Sequence, residues 1–172
     1  MFKGLICISI IILSSLLGFS YGERYKKRVY ILKDLQRGIL QLENEIMYSY
    51  TPLPEALLKV SKKSNKAVSD LFKSIGASLM KNEYDSVYVT FKAVYNFYRE
   101  SMYLTESDEL IISDLFKSLG EVDILGHEKI FTLFLQSIKG SIDDAEELMK
   151  KNLKMYRYLG VCMGFGIVIL IV

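Results

Sequence analysis

The apolar positions of this chain fall into two charge-free runs at its ends and a series of helical stripes between them. Residues 4–21 and 159–172 contain no charged side chain. Between them, Leu32, Leu35, Ile39, Leu42 and Ile46 recur at steps of three and four, with Lys33, Asp34, Gln36, Arg37, Gln41, Glu43 and Asn44 on other positions. That spacing gives a helix one apolar face. Thr51-Pro-Leu-Pro54 then interrupts the pattern. Proline suits a first helical turn, where its missing N–H is no loss, so a short second helix is expected, with Leu53, Leu57 and Val60 on its inner face. Val68, Leu71, Phe72, Ile75 and Leu79 predict a third helix. Tyr88, Phe91, Tyr95, Tyr98 and Met102 predict a fourth, with Asp85 as its N-cap. Thr105-Glu-Ser-Asp108 approximates a capping box in front of a fifth helix, with aspartate in place of glutamate. Leu110, Ile111, Leu115, Phe116 and Leu119 follow on that helix, and Gly120 is its expected stop. The sixth helix starts near Asp123 or His127 and carries Ile130, Phe131, Phe134, Ile138, Ala145 and Leu148. It then runs into the last apolar stretch. No proline occurs after Pro54, and no period-two alternation is sustained. The expected fold class is all-α: a helical bundle of about six helices, flanked by an N-terminal and a C-terminal transmembrane helix.

The first apolar run is about 27 Å of helix, close to the ~30 Å hydrocarbon core. The second reaches a similar length if it extends back to Met155, with Arg157 snorkelling to the headgroups. Arg24, Lys26, Lys27 and Arg28 flank the first run, and Lys150, Lys151, Lys154 and Arg157 the second, each on the side facing the middle. Basic collars of this kind mark the cytoplasmic side. A cleaved signal peptide has a similar outline, with Lys3 at its start. The dense basic cluster that follows opposes translocation, so an uncleaved anchor is the expectation. The organisation is therefore a membrane helix at 4–22, a cytoplasmic helical domain at 23–156 and a second membrane helix at 157–172. Ser14, Gly18 and Gly22 repeat every four residues, as do Gly160 and Gly164. Small residues at that interval let helix backbones approach closely in lipid.

Composition narrows the chemistry. The formal net charge is +2 over 172 residues, and much of the positive charge sits in the two collars. That gives little support to a nucleic-acid partner. The two cysteines, Cys7 and Cys162, both lie in the apolar runs and offer neither a disulfide framework nor a metal site. There is one histidine, His127 beside Glu128, for which a solvated or capping role is expected. Glu43 and Glu45 are two apart and point to different helix faces. No glycine-rich phosphate loop is present. The expectation is a protein without catalytic residues, metal or cofactor. What remains for function is contact. Lys59, Lys62, Lys63 and Lys66 surround a turn, and Asp143, Asp144, Glu146 and Glu147 form an acidic stretch. Each reads most simply as a solvated surface, and each is also a candidate partner-docking surface.

One heptapeptide occurs nearly twice. Asp70-Leu-Phe-Lys-Ser-Ile-Gly76 returns as Asp114-Leu-Phe-Lys-Ser-Leu-Gly120. A duplicated helical hairpin would produce this echo, and so would repeated use of good helix formers around two core residues.

The stretch Glu45-Ile46-Met-Tyr48-Ser-Tyr-Thr51-Pro52-Leu53-Pro-Glu55-Ala56 resembles a signature of the stage III sporulation protein AB family of endospore-forming bacteria. Leu119-Gly120 with Asp123, and Leu159-Gly160 with Gly164, resemble further parts of it. The resemblance covers essentially the whole chain. One departure is His127, where the family carries glutamine four residues after the aspartate. The resemblance implies similarity to the F-type platform proteins of type II secretion and type IV pilus systems, whose cytoplasmic parts are helical bundles. It implies a place in the channel apparatus between mother cell and forespore, with a cytoplasmic secretion-type ATPase, other channel subunits and the lipid bilayer as partners. A homo-oligomer is compatible with it. The implied location is the cell membrane, with the bulk of the chain on the mother-cell side of the outer forespore membrane. The competing reading is a structural membrane protein that assembles through its transmembrane helices without an ATPase.

Overall fold

A computed structural model describes residues 2–121 and 124–171, with side chains over 22–121 and 126–155 and at Tyr158 and Cys162. The described residues form six α-helices and no strand: α1 (Phe2–Met47), α2 (Leu53–Ser61), α3 (Lys66–Met80), α4 (Val87–Met102), α5 (Glu106–Glu121) and α6 (Ile124–Ile171). Among the described residues no helix is long and apolar enough to cross a membrane. The side chains of nearly all of 4–22 and 157–172, the two expected spans, lie outside the described residues. The chain divides into two compact units, one made of 1–29 and 143–172, the other of 30–142.

The larger unit holds a helical core. Leu32, Leu35, Ile39 and Leu42 of α1 are fully buried, as their spacing predicts. Leu57 of α2, Leu71, Phe72 and Ile75 of α3, Phe91 and Tyr95 of α4, Ile112 and Phe116 of α5, and Phe131 and Ile138 of α6 complete it. Consecutive helices pack in order, α2 on α3, α3 on α4 and α4 on α5. The rings of Phe91 and Phe116 stack across the α4–α5 contact with centroids 4.7 Å apart and planes 8° from parallel. Glu109 of α5 clamps the same pair of helices, meeting Lys92 at 2.9 Å and Arg99 at 3.4 Å. Burial, then the nearby Glu109 carboxylate, push the Tyr95 phenol up to about 12. Ser74 and Tyr98 share a hydrogen bond at 3.0 Å between α3 and α4.

Several local expectations hold and others are corrected. The capping box is present: the Thr105 N–H donates to Asp108 Oδ2 at 2.9 Å, and the Asp108 N–H donates to Thr105 Oγ1 at 3.3 Å. The shorter aspartate still closes it, and Asp108 is buried as it does so. The fourth helix is capped not by Asp85 but by Ser86, whose hydroxyl accepts from the Val89 N–H at 3.2 Å. On α5, Leu110 is 60% exposed and Ile112 is fully buried. Leu115, Phe116 and Leu119 are buried as expected, so the correction is confined to the first turns, where Ile112 and not Leu110 faces inward. Leu148 of α6 is exposed instead of core. Gly120 does not stop α5. The helix continues to Glu121, and no described glycine has a positive φ.

The two heptapeptides occupy equivalent places. Leu71 and Phe72 on α3, and Leu115 and Phe116 on α5, are buried pairs. Gly76 faces the start of α2, where a Cβ would lie 2.9 Å from the Pro54 carbonyl oxygen. Gly120 faces the start of α4, where a Cβ would lie 3.2 Å from Val87 Cβ. In each hairpin the glycine lets the second helix approach the first turn of the helix before it. Absence of a Cβ, not left-handed backbone, is what both glycines supply.

In the smaller unit, Gly22 of α1 is buried against α6, and a Cβ there would lie 3.3 Å from Leu153 Cδ2. At this one point of the expected packing series, the close approach is internal to the chain. Ser14, Gly18, Gly160 and Gly164 have side-chain environments outside the described residues.

Candidate functional site

The residues that carry the signature meet at the junction of α1 and α2. The end of α1 is closed by backbone hydrogen bonds from Tyr48 and Ser49 to the Asn44 carbonyl, at 3.1 and 3.2 Å, and from Thr51 to the Glu45 carbonyl at 2.9 Å. Tyr50, at φ 50°, takes the left-handed conformation that this closure demands. A left-handed tyrosine costs of order 1 kcal/mol or more, so neighbouring contacts must hold it. They are close by. Glu45 Oε2 accepts from Thr51 Oγ1 at 3.1 Å and from Lys59 Nζ at 2.9 Å, and the Lys59 ammonium also donates to Thr51 Oγ1 at 3.1 Å. The Lys59 hydrogen bond first, then that of Thr51, hold the Glu45 carboxyl below its ordinary value. This triangle ties the last turn of α1 to the middle of α2, and prolines at 52 and 54 stiffen the chain between them.

Beside the triangle lies a cavity of about 300 Å³ lined by Ile46, Tyr50, Thr51, Pro52, Leu53, Leu119 and His127. Six residues of the signature stretches, Ile46, Tyr50, Thr51, Pro52, Leu53 and Leu119, thus converge on one space with His127. The expectation of a solvated or capping histidine is overturned. His127 is only 9% exposed, and neither ring nitrogen meets a hydrogen-bond partner among the described residues. Its ring lies edge-on to Phe131, with centroids 6.5 Å apart. The first turn of α6 carries it inward among Ile46, Leu53 and Leu119, which sequence position beside Glu128 did not foretell. Leaving such a group unpaired costs about 1–3 kcal/mol. Nearby, burial and then the Glu128 carboxylate push the Glu43 carboxyl above its ordinary value.

The signature side chains differ in exposure. Ala56 is buried on α2, Glu55 is exposed in its first turn, and Tyr48 and Tyr50 are 78% and 77% exposed. Gly120 packs on Val87, as above, and Asp123 lies outside the described residues.

The two candidate docking surfaces belong to different compact units. Lys62, Lys63 and Lys66 are exposed around the α2–α3 turn, whereas Lys59 is engaged by Glu45 and Thr51. On α6, Asp143, Asp144 and Glu147 are exposed and Glu146 is half-buried. Among the described residues no group of three or more histidine, cysteine, aspartate or glutamate side chains is placed to hold a metal ion.

The family model of stage III sporulation protein AB matches residues 3–172. The chain belongs to the stage III sporulation protein AB family. The stage III sporulation protein AB of Bacillus subtilis (strain 168) is 28% identical over 171 residues, covering 99% of each chain. A solved structure of a stage III sporulation protein AB (SpoIIIAB) superposes with a TM-score of 0.66 at 27% identity, covering 72% of this chain and 96% of that one. The resemblance noted at the α1–α2 junction is thus a family membership that runs the length of the chain.

Proposed function

We propose that this stage III sporulation protein AB family member is a non-enzymatic membrane platform of a sporulation channel apparatus, docking a cytoplasmic secretion-type ATPase. The observation that carries the reading is the exposed cationic turn between α2 and α3. Lys62, Lys63 and Lys66 are exposed there, while Lys59 is engaged by Glu45 and Thr51 at the α1–α2 junction. A charged turn fixed on a rigid helical body suits steering and docking of an acidic partner face, and such contacts act mainly on association rate. The acidic residues Asp143, Asp144 and Glu147 offer a second contact surface of opposite sign. In this reading the apolar runs at 4–22 and 157–172 anchor the chain in the cell membrane, with 23–156 on the mother-cell side of the outer forespore membrane. Glycines such as Gly22, already packed on Leu153, let the two anchoring helices lie close.

The test is recruitment of the ATPase to membranes holding the full chain, with and without nucleotide. Reversing Lys62, Lys63 and Lys66 to glutamate should weaken recruitment about tenfold and leave the helical content unchanged. The effect should shrink as salt is raised, because exposed charges are screened beyond about 10 Å at 0.1 M. Recruitment unchanged by this reversal and by reversal of Asp143, Asp144 and Glu147 would sink the docking assignment.

A further inference from the structure

The cavity at the α1–α2 junction combines an apolar wall with a buried polar ring left unpaired by the described bundle. Ile46, Pro52, Leu53 and Leu119 form the wall, and His127 closes one side. We propose that this cavity is a binding site for a tyrosine side chain presented by a protein partner, the phenol ring filling the apolar wall and the hydroxyl pairing with a ring nitrogen of His127. The proposal stands whether or not that partner is an ATPase.

Size and chemistry select the occupant. The cavity measures about 300 Å³, and an apolar cavity of about 150 Å³ already admits benzene. A serine or asparagine side chain would leave the wall uncovered. A neutral imidazole offers one donor and one acceptor, and only a group that both donates and accepts satisfies either tautomer. A phenol hydroxyl does so, whereas an indole N–H only donates. A carboxylate only accepts and finds no cation among the lining residues. The ring nitrogens are enclosed at present. The broad Cβ–Cγ torsion of histidine lets the ring turn one of them toward an occupant. Tyr50 lines the cavity and is 77% exposed, so the cavity reaches the surface of the bundle.

The chain has a single histidine, so ¹⁵N-histidine labelling of the full chain in detergent micelles gives one imidazole to follow. The probes are N-acetyltyrosinamide and N-acetylphenylalaninamide, which differ only by the hydroxyl, and p-cresol as the free phenol. The expected result is a saturable shift of the His127 imidazole signal by N-acetyltyrosinamide, with affinity about tenfold above that of the phenylalanine analogue. In His127→Phe, the methyl signals of Ile46 and Leu119 should report equal binding of the two amides. An imidazole that does not respond, equal affinities in the unsubstituted chain, or a preference that survives His127→Phe each overturns the proposal. Binding of p-cresol without N-acetyltyrosinamide also overturns it, since the cavity would then take free phenols and not a side chain borne on a polypeptide.

Discussion

The carboxylate of Asp34 on α1 grips Asn65, the residue that precedes α3, by two hydrogen bonds at once. The Asn65 backbone N–H donates to Oδ2 at 2.9 Å and its side-chain amide donates to Oδ1 at 2.8 Å. Arg37, one turn along α1, adds a contact to Oδ1 at 3.2 Å. Asn65 stands at the N-cap of α3, yet its amide makes no capping bond of its own, because it is turned to Asp34. A buried charge is tolerable only when its lone pairs are filled, and the α3 N-terminus fills them.

Replacing Asp34 should therefore be costly. Asp34→Ala removes both hydrogen bonds to Asn65, whose exposed donors can turn to water, and a loss of about 1–2 kcal/mol in unfolding free energy is expected. Denaturant melts followed by circular dichroism measure it. A loss below about 0.5 kcal/mol would mean that water replaces the carboxylate without strain.

The glycine contacts predict a graded series. Gly76→Ala drives a Cβ to 2.9 Å from the Pro54 carbonyl, a backbone atom that cannot step aside, so about 1–3 kcal/mol should be lost. Gly120→Ala meets Val87 at 3.2 Å and should cost less. Gly140→Ala meets nothing within 4 Å on α6 and should stabilise by about 0.5–1 kcal/mol through helix propensity. The ranking, read from melting temperatures, is the check.

The stacked pair in the core predicts a large truncation effect. Phe116 is fully buried with its ring 4.7 Å from that of Phe91. Phe116→Ala should cost about 3–5 kcal/mol, as lost burial and a cavity combine. Phe116→Leu should cost clearly less in the same unfolding experiment.

Acid stability should depend on Glu45 and Glu43 with opposite signs. Glu45 is lowered in the folded state, so its contribution is present above the ordinary carboxylate range and is lost as pH falls through its lowered value. Glu43 is raised, so folding gains as pH falls and that carboxyl takes up its proton. Glu45→Gln should lower the melting temperature at neutral pH and flatten its fall in acid. Glu43→Gln should raise the melting temperature at neutral pH. Melting curves from neutral to acid pH for both variants test the pair of signs.

Legibility followed the range of the interaction. The α1 stripe and the Thr105–Asp108 box were readable because both depend on neighbours three or four positions away. Ser86 was missed as a cap because the adjacent Asp85 satisfies the same local rule, and only the path of the chain into α4 separates them. Ile112 and Leu110 exchanged places for a similar reason: either can head an apolar stripe, and the position of α4 decides which turns inward.

By itself, the sequence determined six helices, the break at Pro52 and Pro54, the family signature and the charged turn at Lys62 to Lys66. These follow from short spacings, from the missing N–H of proline and from side-chain identity, none of which needs a second helix. Tertiary structure alone decided that Lys59 serves Glu45 and Thr51, that Asn65 is held by Asp34, that Gly120 is an approach point and not a stop, and that His127 is buried against Ile46 and Leu119. Each depends on where helices cross. Packing selects that crossing from many that the same periodic stripes allow, because ridges and grooves fit in only a few arrangements.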